Sequence, residues 1–64
     1  MISYEPFFKT LSKKRMTQYQ LVTKYLIPQG TLQRIRNNKN LSLQSVENIC
    51  KALNCKITDV VSFI

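Results

Sequence analysis

Apolar positions recur at spacings of three and four along almost the whole chain, which is the period of an α-helix. Tyr4, Phe7, Phe8 and Leu11 follow this spacing and predict a first helix over residues 4–14, with its aromatics in the core. Pro6 is acceptable there because a first-turn N–H has no intrahelical partner. The run "KKR" at 13–15 then sets cations against the negative end of the helix. A second, short helix is expected over 17–24. Thr17 is its N-cap, Gln20 completes a capping box, and Leu21 and Val22 face inward, with Tyr25 following. A third is expected over 28–36. Pro28 suits the first helical position, Leu32 and Ile35 share one face, and Asn37 and Asn38 stop it because Asn tolerates left-handed backbone.

The clearest helix is the fourth, over 42–53. Ser42 caps it, with Ser45 at the third position, and Leu43, Val46, Ile49, Cys50 and Leu53 form an apolar stripe. Asn54 suits its C-terminal cap. A fifth is expected over 58–62, begun by Thr58 with Asp59 in its first turn. Val60, Val61, Phe63 and Ile64 make this stretch very apolar. Two readings are open for it: a cap on the core, or a small seam between two copies. The prediction is an all-α, five-helix single domain spanning residues 1–64, with short middle helices.

Length limits the core. A chain of 64 residues buries only about 60% of its unfolded surface, so stability is marginal. An apolar content of 44% is nonetheless too high for a disordered tail. A single Gly and two Pro disfavour a many-turned barrel. No apolar run approaches the roughly 18 residues of a membrane span. The opening "MISYEPFF" lacks the basic start and long apolar centre of a secretory signal, so the cytoplasm is the expected compartment. Cys50 and Cys55 can pair in principle. In a chain without a secretion signal they read as two buried thiols acting as small hydrophobes.

Charge adds a direction. The net charge is +7, and Glu5, Glu47 and Asp59 are the only acids. Between Glu5 and Glu47 lie Lys9, Lys13, Lys14, Arg15, Lys24, Arg34, Arg36 and Lys39, with no negative charge among them. Self-repulsion of this kind is costly for a small core, and a polyanionic partner is the simplest reason to tolerate it. With no His and three carboxylates, a third or fourth metal ligand is hard to find and no nucleophile–base pairing stands out. No metal, no cofactor and no catalysis are expected.

The functional constellation lies in "MTQYQLVTKYLIPQGTLQRIRNNKN". Two short helices joined by three or four residues must cross steeply, as in a helix-turn-helix. The first then spans the backbone of a duplex and the second offers its outer face to the major groove. With Leu32 and Ile35 turned inward, the third helix presents Gln29, Gly30, Thr31, Gln33, Arg34 and Arg36. Gln grips adenine and Arg grips guanine by two hydrogen bonds each. Gly30 is either merely tolerated, at about 1 kcal/mol relative to Ala, or makes room for a close approach to a base pair. Candidate base readers are therefore Gln29, Gly30, Thr31, Gln33 and Arg34. Candidate phosphate contacts are Thr17 and Gln18 at the start of the second helix, Arg36, and the polar loop of Asn37, Asn38 and Lys39 with Asn40. Thr17 also reads as a pure cap, and the loop as an ordinary turn. Lys13, Lys14 and Arg15 read either as flanking the duplex or as a solvated helix end. A protein-binding module, antitoxin-like or anti-repressor, using the basic surface on an acidic partner is the alternative. Single-stranded RNA binding would want exposed aromatics, and these aromatics sit at core spacing.

From Met16 to Val61 the chain resembles the helix-turn-helix domain of the phage Cro and lambda-type repressor (XRE-like) family, in its short stand-alone bacterial form. The resemblance implies five helices, binding to double-stranded DNA through the third, and a homodimer on a palindromic operator. By position, Gln18 matches the glutamine that opens the second helix and contacts phosphate. Gln29, Gly30 and Arg34 match base-reading positions, and Asn37 and Lys39 match the loop on the next phosphate. Many members have Gly in the turn where this chain has Leu26. A left-handed Leu is strained, so a different turn shape is expected. Gly30 replaces a longer side chain, so no base preference transfers. The separate dimerisation domain of larger repressors is not expected here.

Overall fold

The computed structural model describes all residues, 1–64. Four α-helices run in order: α1 (Glu5–Lys14), α2 (Gln18–Thr23), α3 (Gln29–Arg36) and α4 (Leu43–Leu53). A 3-10 turn at Ile57–Asp59 and a small ribbon of β1 (Ile2–Ser3) and β2 (Ser62–Phe63) complete the molecule. Its extents are 30 × 23 × 18 Å. No helix is long and apolar enough to cross a membrane.

Local signals set the helix ends. Thr17 Oγ1 accepts from the Gln20 N–H at 3.1 Å while the Thr17 N–H donates to Gln20 Oε1 at 2.9 Å, closing the capping box. Ser42 Oγ accepts from the Ser45 N–H at 3.1 Å. Arg15, Asn38 and Asn54 end α1, α3 and α4 in left-handed backbone, with φ of 55°, 55° and 52°. At the end of α4 the Cys55 N–H reaches the Cys50 carbonyl at 3.0 Å and the Asn54 N–H reaches Lys51 at 3.3 Å. This doubly bonded close brings the side chains of Cys50 and Cys55 together. Both cysteines are free and half-buried. Burial first, then Cys50 and Asp59 nearby, pushes the Cys55 thiol up to about 11.

One core joins all the helices. Phe7 and Leu11 from α1, Leu21 from α2, Leu32 and Ile35 from α3, Ile49 and Leu53 from α4, and Ile27 and Val60 between elements lie in a single buried cluster with Tyr4. Phe8 stands partly outside it, edge-on to Phe7 at 5.2 Å. Leu43 does not belong to the α4 stripe: it is exposed at the start of the helix, and the stripe begins at Val46. Pro28 is the N-cap of α3 (φ −59°, ψ 140°) rather than its first helical residue.

The five-helix expectation is not met, because 58–62 does not form a helix. The 3-10 turn starts at Ile57, and Asp59 closes it by accepting from the Lys56 N–H at 3.1 Å. The chain then extends, with Ile2 opposite Phe63 and Ser3 opposite Ser62 in an antiparallel pair. So short a helix gains few hydrogen bonds against a costly nucleus. β-branched and aromatic residues such as Val60, Val61 and Phe63 favour extended backbone. Val60 plugs the core, while Phe63 is 82% exposed.

The turn between α2 and α3 overturns a second expectation. Leu26 adopts the left-handed conformation, with φ 59°, even though its side chain is 81% exposed and packs on little. The strain is on the order of 1–2 kcal/mol. Its neighbour explains why it is tolerated. Ile27 is buried and its N–H bonds the Leu21 carbonyl at 3.0 Å. Burying such a side chain stabilises by about 1.5–3 kcal/mol, which outweighs the strain.

Candidate nucleic-acid interface

The core fixes how α3 presents itself. Leu32 and Ile35 are buried, and at 3.6 residues per turn the opposite face consists of Gln29, Gly30, Gln33 and Arg34, all exposed. Thr31 is half-buried beside the core and sits at the margin of that face. Gly30 has ordinary negative φ, and a Cβ built on it would meet nothing within 4 Å. No contact inside the molecule therefore requires a glycine there.

Two arginines of α3, Arg34 within the face and Arg36 beside it, are each tied to a neighbouring segment. On one side Arg36 Nη1 donates to Gln18 Oε1 at 2.6 Å, joining the end of α3 to the start of α2. Because the oxygen of Gln18 is taken, its NH2 group remains free to donate outward. Thr17 beside it uses its hydroxyl oxygen in the cap. A cleft of about 130 Å³ between α2 and α3 is lined by Gln18, Tyr19, Val22, Gln29, Leu32 and Arg36. It is smaller than the roughly 300 Å³ at which small-molecule sites begin. Tyr19, 74% exposed on its rim, was missed from the sequence. Its position next to Gln18 on α2 was the available signal.

On the other side Arg34 Nε donates to the Asn40 carbonyl at 2.7 Å. The loop after α3 is further held by the Lys39 N–H on the Arg34 carbonyl at 2.7 Å and the Asn38 N–H on Ile35 at 3.1 Å. The Tyr4 hydroxyl donates to the Lys39 carbonyl at 2.6 Å from the far end of the chain. Neither this bond nor the Asn40 contact had any sequence signal. Asn37, Asn38, Lys39 and Asn40 stay exposed. The loop is thus fixed in backbone and free in side chain.

The electrostatic setting has one sign. Glu5 pairs with Lys9 at 3.4 Å on α1 and Glu47 with Lys51 at 3.9 Å on α4, both on exposed surface. Asp59 caps the 3-10 turn. All three acids are thereby engaged elsewhere, and Arg34, Arg36 and Lys39 form no salt bridge. Lys13 and Lys14 end α1 in a separate cleft that also holds Lys56 and Asp59. No group of three or more His, Cys, Asp or Glu side chains comes together.

A short helix held with its polar face outward, joined by a short turn to a second short helix and with no acid paired to its cations, fits a helix-turn-helix DNA-binding domain. The comparisons agree. The chain belongs to the Cro/C1-type helix-turn-helix DNA-binding domain family, whose model matches residues 9–64. Among solved structures it is similar to the transcriptional regulator VanUg. The two share 28% identity and superpose with a TM-score of 0.86, over 95% of this chain and 81% of that one. No curated protein matches it.

Proposed function

We propose that the chain is a transcriptional regulator, and specifically a repressor, that binds double-stranded DNA in a sequence-specific way and acts by occupying an operator. In this reading α3 enters the major groove. Gln29, Gln33 and Arg34 read base edges, Gly30 admits a close approach, and Thr31 lies against a thymine methyl. Thr17, Gln18 and Arg36 take the phosphate on one side, and Asn37, Asn38 and Lys39 the phosphate on the other. Two copies sit on the halves of a palindromic operator.

The observation that carries the reading is the exposed face of α3. Side chains suited to bidentate base contacts project from a helix whose apolar side is buried, and both of its arginines are tethered to neighbouring segments. The similarity to VanUg, a transcriptional regulator, adds to it.

Selection of bound duplexes from a random-sequence pool tests the proposal. The expected result is one enriched motif arranged as an inverted repeat, with preference lost at a defined base pair in Arg34→Ala. An unenriched pool, or equal weakening of selected and random duplexes by Arg34→Ala, would refute base reading. Binding to an acidic protein with no affinity for duplexes would favour a protein-docking module instead.

A further inference from the structure

Arg34 reaches a base only if its long side chain is aimed. A free arginine carries rotamer entropy that binding must remove. Here the side chain is already committed. Its Nε–H bonds the Asn40 carbonyl at 2.7 Å although the residue is exposed. That single bond leaves both terminal nitrogens unengaged, and their outer edge is the fork that matches guanine O6 and N7.

The backbone leading to the carbonyl that aims Arg34 is itself held. Lys39, the residue before Asn40, is gripped on both sides: its N–H bonds the Arg34 carbonyl at 2.7 Å, and its carbonyl accepts from the Tyr4 hydroxyl at 2.6 Å. Tyr4 is 3% exposed, with its ring fixed in the core ahead of α1. The hydroxyl is raised above its ordinary pKa by burial, with the Arg34 charge pulling it down, which places the two groups in one electrostatic neighbourhood. The chain of contacts runs from Tyr4 to the Lys39 carbonyl, along the backbone of Asn40 to its own carbonyl, and from there to the Arg34 guanidinium.

We infer that Tyr4 and the Asn40 carbonyl are positioning groups for Arg34, so that the segment before α1 sets how sharply the domain distinguishes one base pair from another. This rests on the reading of α3 as the base-reading helix, and assigns specificity to two groups outside it. Tyr4→Phe removes one oxygen and leaves the ring in place. The loop carbonyls then lose an anchor and the arginine regains freedom.

The test uses the full chain, a duplex recovered by the wild-type protein from a random pool, and a scrambled duplex of equal length. Tyr4→Phe is expected to weaken the selected duplex by about threefold to tenfold, the loss of one net hydrogen bond, with the scrambled duplex and the salt dependence unchanged. In an Arg34→Lys background, where no Nε–H exists, Tyr4→Phe is expected to change discrimination no further. The Arg34 Nε–H resonance of the free protein should show slow solvent exchange in wild type and fast exchange in Tyr4→Phe. Equal weakening of both duplexes by Tyr4→Phe would overturn the inference and make Tyr4 a generic support of the phosphate loop. So would unchanged discrimination in Tyr4→Phe while Arg34→Lys loses it, an outcome that leaves base reading intact. If no duplex is enriched, base reading falls and the inference falls with it.

Discussion

Gly30→Ala separates what the fold needs from what a ligand needs. Gly30 is the second residue of α3, with negative φ and open space where a Cβ would stand. Alanine there meets no neighbour and removes the entropy that glycine loses on entering a helix. That difference is about 0.5–1 kcal/mol, toward the low end in a first turn. For a domain of this size each kcal/mol moves the melting temperature by about 4–8 °C. A rise of roughly 2–6 °C is therefore expected in far-UV circular dichroism melts. The same methyl group projects from the proposed groove-facing surface. Overfilling a packed contact costs on the order of 1–3 kcal/mol, so affinity for a selected duplex should fall by about tenfold in fluorescence anisotropy. A more stable protein with weaker binding means the glycine is kept for the ligand. A more stable protein with unchanged affinity would show that Gly30 is merely tolerated. A less stable one would refute the account of α3 itself.

Other outcomes follow from the same physics. Leu26→Gly should stabilise by about 0.5–1 kcal/mol, since relief of 1–2 kcal/mol of left-handed strain exceeds the entropy glycine adds. The urea midpoint should rise at constant slope, and a fall would mean the exposed Leu26 side chain makes a contact that matters. Thr17→Ala removes a capping-box acceptor and should cost about 1 kcal/mol in the same titration. If five or six phosphates are engaged, log K should fall against log salt with a slope of about −5, and a slope near zero would exclude a phosphate-dominated complex. Cys55 is raised from 9.0 to about 11, so its contribution to stability is present below pH 9 and lost as pH climbs toward 11. Alkylation of Cys55 in the native protein should therefore stay slow at neutral pH, and fast modification there would contradict the raised thiol.

Much of this was legible in the chain itself. Caps at Thr17, Ser42 and Asn54 and the Leu32–Ile35 pair are local signals, read from residues within four positions of one another. What was not legible is long-range. Ser62 and Phe63 become strand only because Ile2 and Ser3, sixty residues away in sequence, lie alongside, and nothing local in "DVVSFI" announces that partner. Leu26 looked incompatible with a glycine-type turn because its strain is visible in sequence, whereas the burial of Ile27 that outweighs it is not. The candidate site shows the same division. The exposed face of α3 follows from period alone. The bonds from Arg36 to Gln18, Arg34 to Asn40 and Tyr4 to Lys39 depend on how α2, α3 and the N-terminal segment pack.

The central claim is that duplex DNA meets the outer face of α3, with a cation-bearing segment at each flank. Titrating the isotopically labelled protein with a duplex recovered from a random pool, and following every backbone amide by NMR in low salt, tests it most directly. The account predicts shifts concentrated at Thr17–Tyr19, along Gln29–Arg36 and in Asn37–Asn40, with the β1–β2 ribbon undisturbed. Shifts centred on the ribbon and the 3-10 turn, with Gln29 to Arg34 unmoved, would contradict it.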